Sequence, residues 1–375
     1  MRPTVPALAV LLAVAACGTS APASRPAKAA QTVAITVSDA GCALASSSVE
    51  AGGVTFAITN TGTDKVDEVY VLQGTRILAE KEGLTSGKSG SVSLTLAAGT
   101  YRVRCSGAGP LYQDLTVTGG SSTASSRDAA EQAKAISDYE TYVKEQVAQQ
   151  VIKTKVLTDA VRAGDLAAAA KAYPGARVNY ERIEPVAESF GDIDPDIDAR
   201  LPDVPSVARW TGYHRLEYAV FKERSLTGMK PVADKLDADV LRLRTLVQTV
   251  DYTVPQIANG ATELLDEVAA SKITGEEESW SHIDLLDFQG NVDGARAAFE
   301  ALEPALRLRD AALAARIGTA FDAVDAALKP YRTGSGPEDF RPYTALTKAQ
   351  TTALAGVVDG LAEPLSKVAA ELVKA

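Results

Sequence analysis

The run Gly119-Gly120-Ser121-Ser122-Thr123-Ala124-Ser125-Ser126 divides this chain into two parts that cannot share one architecture. A Gly/Ser run behaves as flexible coil. Before it, apolar residues alternate with period two; after it, they recur every three or four residues. Period two places successive side chains on opposite faces of a strand, whereas the longer spacing draws a stripe along a helix. The chain is therefore expected to be multidomain, with an all-β sandwich over residues 32–118, a linker over 119–127 and an all-α helical bundle over 128–375.

The β expectation rests on Thr32 to Val37, Val54 to Ile58 and Ser91 to Leu96, which alternate and are separated by glycines at turn-like intervals. Short strands with regular turns in under a hundred residues point to a small sandwich or Greek-key barrel. In the second part Ile136, Tyr139, Val143, Val147 and Val151 mark one helical stripe. Breaks between helices are expected at Gly164-Asp165, Tyr173-Pro174-Gly175, Gly228, Gly260, Gly275, Gly294, Gly318 and Gly334-Ser335-Gly336.

Residues 1–17 have the shape of a secretory leader: Arg2, an apolar run from Val5 to Ala16, then Cys17 after two alanines. The run is too short to span a bilayer. Val14-Ala15-Ala16-Cys17 resembles a bacterial lipobox, which implies lipidation of Cys17; an ordinary cleaved signal is the alternative. Residues 18–31 are Ala, Ser, Pro and Lys, a tether that cannot bury a core. The chain is thus expected outside the cytoplasm, lipid-anchored to the cell membrane, periplasmic or at the cell surface. Its net charge of −10 excludes a nucleic-acid partner, since that needs a basic footprint. No P-loop, dinucleotide fingerprint, nucleophile elbow or His-Glu-x-x-His helix is present.

The chemistry centres on Tyr213-His214-Arg215-Leu216-Glu217, which holds one of only two histidines. On a helix His214 and Glu217 share a face, and imidazole plus carboxylate can meet at one metal ion. Such a pair is more often a surface hydrogen bond. Partners are available in Glu181 and Glu184, spaced i, i+3 before Pro185, in the acidic stretch from Asp192 to Asp198, and in Glu276-Glu277-Glu278. One nitrogen among several oxygens suits iron, manganese or zinc. The alternative is a buried salt-bridge network with Arg177, Arg182, Arg200 and Arg215. Glu276 and Glu278 are read as the acidic first turn of a helix, favoured by the dipole. His282 is read as a structural hydrogen-bonding residue beside Glu278 and Asp284.

Dense runs carry a family resemblance: Tyr180-Glu181-Arg182-Ile183-Glu184-Pro185, Ile197-Asp198-Ala199-Arg200, Thr211-Gly212-Tyr213-His214-Arg215-Leu216-Glu217, Glu267 to Glu277, and Ser281-His282 with Asp287-Phe288-Gln289. The helical part resembles the imelysin family, and the whole chain from about residue 32 resembles the extracytoplasmic components of bacterial Efe-type iron-uptake systems. That resemblance implies a cupredoxin-like β domain and a helical domain whose metal cluster falls on Glu181, Glu184, Asp198, His214 and Glu217, with Glu277 as a sixth position. It implies iron, ferrous or ferric, or zinc at this cluster. The partners it implies are a membrane iron permease and a haem peroxidase of the same system.

Residues 32–118 contain no His and no Met, so a His₂Cys blue-copper site cannot form there. The resemblance implies instead a second site on Cys42, Cys105 and Glu68 for copper or iron; a Cys42–Cys105 disulfide is the alternative, and the two could alternate as redox states. The leading functional expectation is a non-enzymatic component that captures iron and delivers it to a permease. A secreted His-x-x-Glu metallopeptidase is the second reading. A metal-dependent binder of acidic polysaccharide is the third, disfavoured by an aromatic content of 6%.

Overall fold

The computed structural model describes residues 30–74, 76–105, 112–119, 126–336 and 338–374. The leader, Cys17, nearly all of the tether and most of the Gly/Ser run lie outside the described residues.

Among the described residues nine strands form the first part: β1 (Gln31–Ser38), β2 (Gly41–Leu44), β3 (Ser48–Glu50), β4 (Gly52–Asn60), β5 (Val69–Gln73), β6 (Arg76–Lys81), β7 (Ser89–Leu96), β8 (Gly99–Cys105) and β9 (Gln113–Thr118). They make two sheets, ordered β2-β1-β4-β7 and β3-β9-β8-β5-β6. The β1/β4 and β3/β9 pairs are parallel and the others antiparallel, which excludes a simple meander. Alternation has the expected consequence: Val33, Ile35 and Val37 of β1 and Val54, Phe56 and Ile58 of β4 all point into the core between the sheets.

Cys42 on β2 and Cys105 on β8 are joined in a disulfide with Cα atoms 6.0 Å apart. The two belong to different sheets, so the bond ties one layer of the sandwich to the other. Their sequence separation of 63 residues closes a loop for which the chain-entropy model gives about 4 kcal/mol.

The second part is all α: α1 (Ser126–Ala163), α2 (Leu166–Glu181), α3 (Ile193–Asp198), α4 (Gly212–Glu217), α5 (Lys230–Leu246), α6 (Val254–Ala270), α7 (Asp284–Arg309), α8 (Ala311–Leu328), α9 (Lys348–Leu365) and α10 (Val368–Leu372). The stripe read on α1 is the buried one, with Tyr139, Val143 and Val147 fully enclosed. Helix α1 lies against α2, α5 and α7, while α6 lies against α7 and α9. No described helix is long and apolar enough to cross a membrane.

Four expected breaks are not breaks. Helix α2 runs through Pro174-Gly175, α6 through Gly260 and α7 through Gly294. At Gly260 a Cβ would lie 1.8 Å from the Pro185 carbonyl oxygen, and at Gly294 2.4 Å from that of Arg182. These glycines serve close backbone approach, at the usual cost of about 1 kcal/mol each in a helix. Gly318 also sits inside α8, where no described residue comes near enough to explain it.

The two parts are docked through polar contacts. Lys81 of β6 lies 2.8 Å from both Glu263 and Asp266 of α6, and Asn259 donates to the Ser93 carbonyl at 2.9 Å. Gly53 of β4 leaves no room for a side chain, because a Cβ there would meet the Val373 carbonyl.

Candidate metal centre

The centre is assembled where α2, α3 and α4 end or begin, and each short element has a local reason. Helix α2 starts on Asp165, whose carboxylate accepts from the Ala168 N–H at 2.9 Å. It stops at Glu181, short of Pro185, and Glu184 opens a 3₁₀ segment over Glu184–Phe190. The proline therefore ends the helix rather than kinking it. Gly212, the first residue of α4, has φ +84° and a Cβ position 2.1 Å from the Ile197 carbonyl oxygen. Only glycine fits, and its absence of side chain brings α4 against α3. The Trp210 indole N–H donates to Ala199 at 2.6 Å and the Thr211 hydroxyl to Asp196 at 3.0 Å, which fixes that approach. Asp198 is thereby held beside His214.

His214 is 1% exposed and Glu217 fully buried. Nδ1 of His214 lies 3.4 Å from Glu217, while Nε2 lies 3.5 Å from Asp198 and 3.4 Å from Glu277. Nε2 has no hydrogen-bond partner among the described residues. Ligand atoms of Asp198, His214 and Glu277 lie within 4.8 Å of one another, as do those of His214, Glu217 and Glu278, and those of Glu181, Glu184 and Asp198. All six positions named from the sequence therefore meet in one region. Cys42, Cys105 and Glu68 belong to none of these groups, and the disulfide leaves no thiolate for the second site. Glu68 accepts the Tyr70 hydroxyl and faces a groove at the edge of the helical domain.

Two buried cations sit among the acids. Arg177, with no exposed surface, pairs with Glu181, Asp198, Glu277 and Glu278. Lys272, nearly buried, lies 2.5 Å from Glu184 and 3.5 Å from Glu181. Of the arginines named as a network, Arg200 bridges Asp203, Glu276 and Glu277 at the rim. Arg182 pairs with Asp293 and Arg215 with Glu223, both away from the centre.

Glu276 and Glu278 do not form the first turn of a helix. Residues 277–281 are turn, and the following helix begins only at Asp284. The segment folds over α4 so that the Trp280 and Ser281 N–H groups both donate to Glu217 at 2.8 Å. Glu278 is thus driven inward, fully buried, accepting from Tyr173 at 2.9 Å and from Ser281. His282 turns this corner at φ +59°, and its ring makes no hydrogen bond to Glu278 or Asp284 among the described residues. Its role is carried by the backbone, through a bond to the Glu278 carbonyl at 2.9 Å. Asp287, unremarked as a ligand in the sequence, is 1% exposed, and neither carboxyl oxygen has a hydrogen-bond partner among the described residues. Its place inside the Asp287-Phe288-Gln289 motif was the only signal.

Burial and crowding divide these groups. Burial pushes Glu278 and Asp287 up, with Glu217 and Glu181 respectively adding like charge. Burial and like charge raise Asp198 to about 6 against the pull of Arg177. Glu277 is held well below the usual range because Lys272, His214 and Arg177 outweigh its burial. For His214 burial and Arg177 favour the neutral ring, but Glu217, Glu277 and Asp198 outweigh them and hold it at about 10. The metal-free centre thus keeps an imidazolium where a cation would sit, and its donor set of one nitrogen and several oxygens fits iron, manganese or zinc.

Two glycines of α7 make the assembly compact. A Cβ on Gly290 would lie 2.7 Å from the Glu181 Cβ, and one on Gly294 2.4 Å from the Arg182 carbonyl oxygen. Gly294→Ala is expected to cost about 1–3 kcal/mol of stability, the usual range for overpacking. Gly290→Ala, which pushes on a side chain, should instead shift Glu181 and weaken zinc binding more than it lowers the denaturation midpoint. Denaturation curves and zinc titrations of both variants check this.

Fold and site define a two-domain protein: a disulfide-tied β-sandwich docked on an α-bundle that holds a buried, carboxylate-rich histidine cluster. Family models agree, with a cupredoxin-like domain matched over residues 7–112 and imelysin over 135–368. The chain is 38% identical over 339 residues to the iron uptake system component EfeO of Yersinia pseudotuberculosis, covering 90% of each. It is 37% identical over 369 residues to that of Escherichia coli O157:H7, covering 96% of each. A putative iron-regulated protein A precursor from Parabacteroides distasonis is similar in fold over 68% of this chain and 97% of that one, with a TM-score of 0.50 at 14% identity. The chain belongs to the imelysin family and, within it, to the group of proteins named iron uptake system component EfeO.

Proposed function

We propose that this protein is the extracytoplasmic iron-binding component of an Efe-type uptake system, taking iron as cargo at the His214 cluster and passing it to a membrane permease. The observation that carries the reading is His214 itself: a buried imidazole with carboxylates facing both nitrogens, whose Nε2 makes no hydrogen bond among the described residues. Glu181, Glu184, Asp198, Glu217 and Glu277 are the ligands this reading assigns, with Glu278 and Asp287 behind them. A haem peroxidase is the further partner, and Cys17 the lipid attachment.

A peptidase is disfavoured by Glu217. One of its oxygens accepts two backbone N–H groups and the other faces His214, so no oxygen is left to act as a positioned general base. An acidic polysaccharide is disfavoured by the carboxylates that line the larger groove leading to the site. Calorimetric titration of the full chain with anaerobic Fe²⁺, and with Zn²⁺ and Cu²⁺, tests the proposal. Saturable Fe²⁺ binding that collapses in Glu277→Ala is expected, without peptide cleavage by the metal-loaded protein. Absence of saturable iron binding, or full retention in that variant, rejects it.

A further inference from the structure

Between the β-sandwich and the helical part runs a groove of about 510 Å³. Its outer walls carry Glu80 and Glu82 from the end of β6 and Glu188 from the segment after α2; its inner end is formed by Asp198 and Glu277. Arg200 is the one cation among its described lining residues, and it is already engaged with Asp203, Glu276 and Glu277. Two acids from different domains, Glu80 and Glu188, line the same groove close enough for each to act on the other's proton. Burial, then crowding by neighbouring carboxyls, pushes Glu80 up to about 10 and Glu82 to about 8. Lys81, between them in sequence, is turned away to Glu263 and Asp266.

An acidic groove alone need not lead anywhere. This one ends on Asp198 and Glu277, and those are the two carboxylates that the buried, unpartnered Nε2 of His214 faces at 3.5 and 3.4 Å. A second opening of about 210 Å³ reaches His214 between Pro202 and Trp280. Its acids, Glu276 and Glu277, are both bridged by Arg200 at 3.2 and 3.3 Å. Its mouth is therefore smaller and largely neutralised.

Resting on the proposed function, we infer that divalent cations travel to and from the His214 centre through the interdomain groove, and that the β domain's Glu80 and Glu82 form one wall of that path. The sandwich then has a task that needs no metal site of its own: it completes a conduit that the bundle alone leaves open on one side. A cleft lined by one sign of charge raises local counter-ion concentration and can speed association by about 10- to 1000-fold, an effect that salt screens.

The test is stopped-flow binding of Zn²⁺, and of Fe²⁺ without oxygen, followed by the fluorescence of Trp210 and Trp280, whose rings are 5.9 Å apart beside the site. In Glu80→Gln/Glu82→Gln/Glu188→Gln at low salt the association rate is expected to fall about tenfold or more at pH 8.5, where Glu82 is mostly ionised, and by less at pH 7, where Glu80 and Glu82 still hold their protons. The dissociation rate should fall with it, leaving equilibrium affinity within a few-fold, and the deficit should shrink as salt rises. Relief of crowding should keep the variant's melting temperature at or above that of the wild type, which verifies folding. Glu276→Gln at the second opening should leave the rate unchanged. An association rate within twofold of wild type in the triple variant at pH 8.5, or an equal drop in Glu276→Gln, overturns the path while leaving the metal centre standing. Failure of the wild type to bind, or equal binding by His214→Ala, overturns both.

Discussion

In His214→Ala, affinity for Fe²⁺ and Zn²⁺ is expected to fall on the order of 10³-fold, beyond the 10- to 100-fold typical of losing a residue that merely supports a ligand. The pH dependence should change with it. In the metal-free centre Glu217, Glu277 and Asp198 hold His214 protonated up to about 10, so a cation that ligates the ring must expel a proton. Wild-type affinity should therefore rise by about tenfold per pH unit for that one proton, across the neutral range, with further contributions from the raised Glu278 and Asp287 carboxyls. The variant should lose one proton's worth of this slope. Titrations from pH 6 to 8.5 in two buffers of different protonation enthalpy read both quantities.

The same shift works in the opposite sense on metal-free stability. A histidine whose folded pKa lies above 6.5 contributes stability that is fully present below 6.5 and is lost as pH rises towards 10. Alkaline pH thus weakens the empty centre while favouring its loaded state. On the acid side, Glu277 is depressed, so its contribution is present above its ordinary value near 4.5 and disappears as pH falls below it. An empty protein is most comfortable between these limits, where capture outside the cytoplasm would take place.

How far this was legible in the sequence depends on the residue. His214 and Glu217 are three apart on one helix, and local periodicity places them together without any tertiary knowledge. Asp198 lies on another element; its meeting with His214 depends on Gly212 packing against Ile197, and only the family resemblance supplied it. Glu278 was misread because a run of acids before a helix looks the same whether it caps the helix or folds under it. The deciding feature, positive φ at His282, has no signature in a residue that is not glycine. Gly260 and Gly294 were misread as breaks because small volume and backbone freedom are one letter in a sequence. The domain contact was wholly illegible, since a Gly/Ser run says that docking is permitted and nothing about which faces meet.

Arg177→Met separates a cation site from a salt-bridge network more sharply than any ligand deletion. Arg177, with no exposed surface, is the shared partner of Glu181, Asp198, Glu277 and Glu278, of which Glu181 and Glu278 are fully enclosed. Removing one side of a buried ionic cluster typically costs about 3–5 kcal/mol, because the other side stays buried and unpaired. Metal-free Arg177→Met should lose stability on that scale, with partial relief below pH 6 as the carboxyls take up protons. A divalent cation can replace the missing charge, so saturating Zn²⁺ should stabilise the variant more than the wild type. At a hundredfold excess over the dissociation constant the gain from binding alone is about 2.7 kcal/mol. Urea unfolding with chelator and with zinc supplies the comparison. A network built only for structure would show the loss without the rescue, whereas a transport site should show both. On the proposed function Arg177 would be an internal competitor: it pairs the acids when no cation is bound, which would keep iron binding weak enough to be reversed.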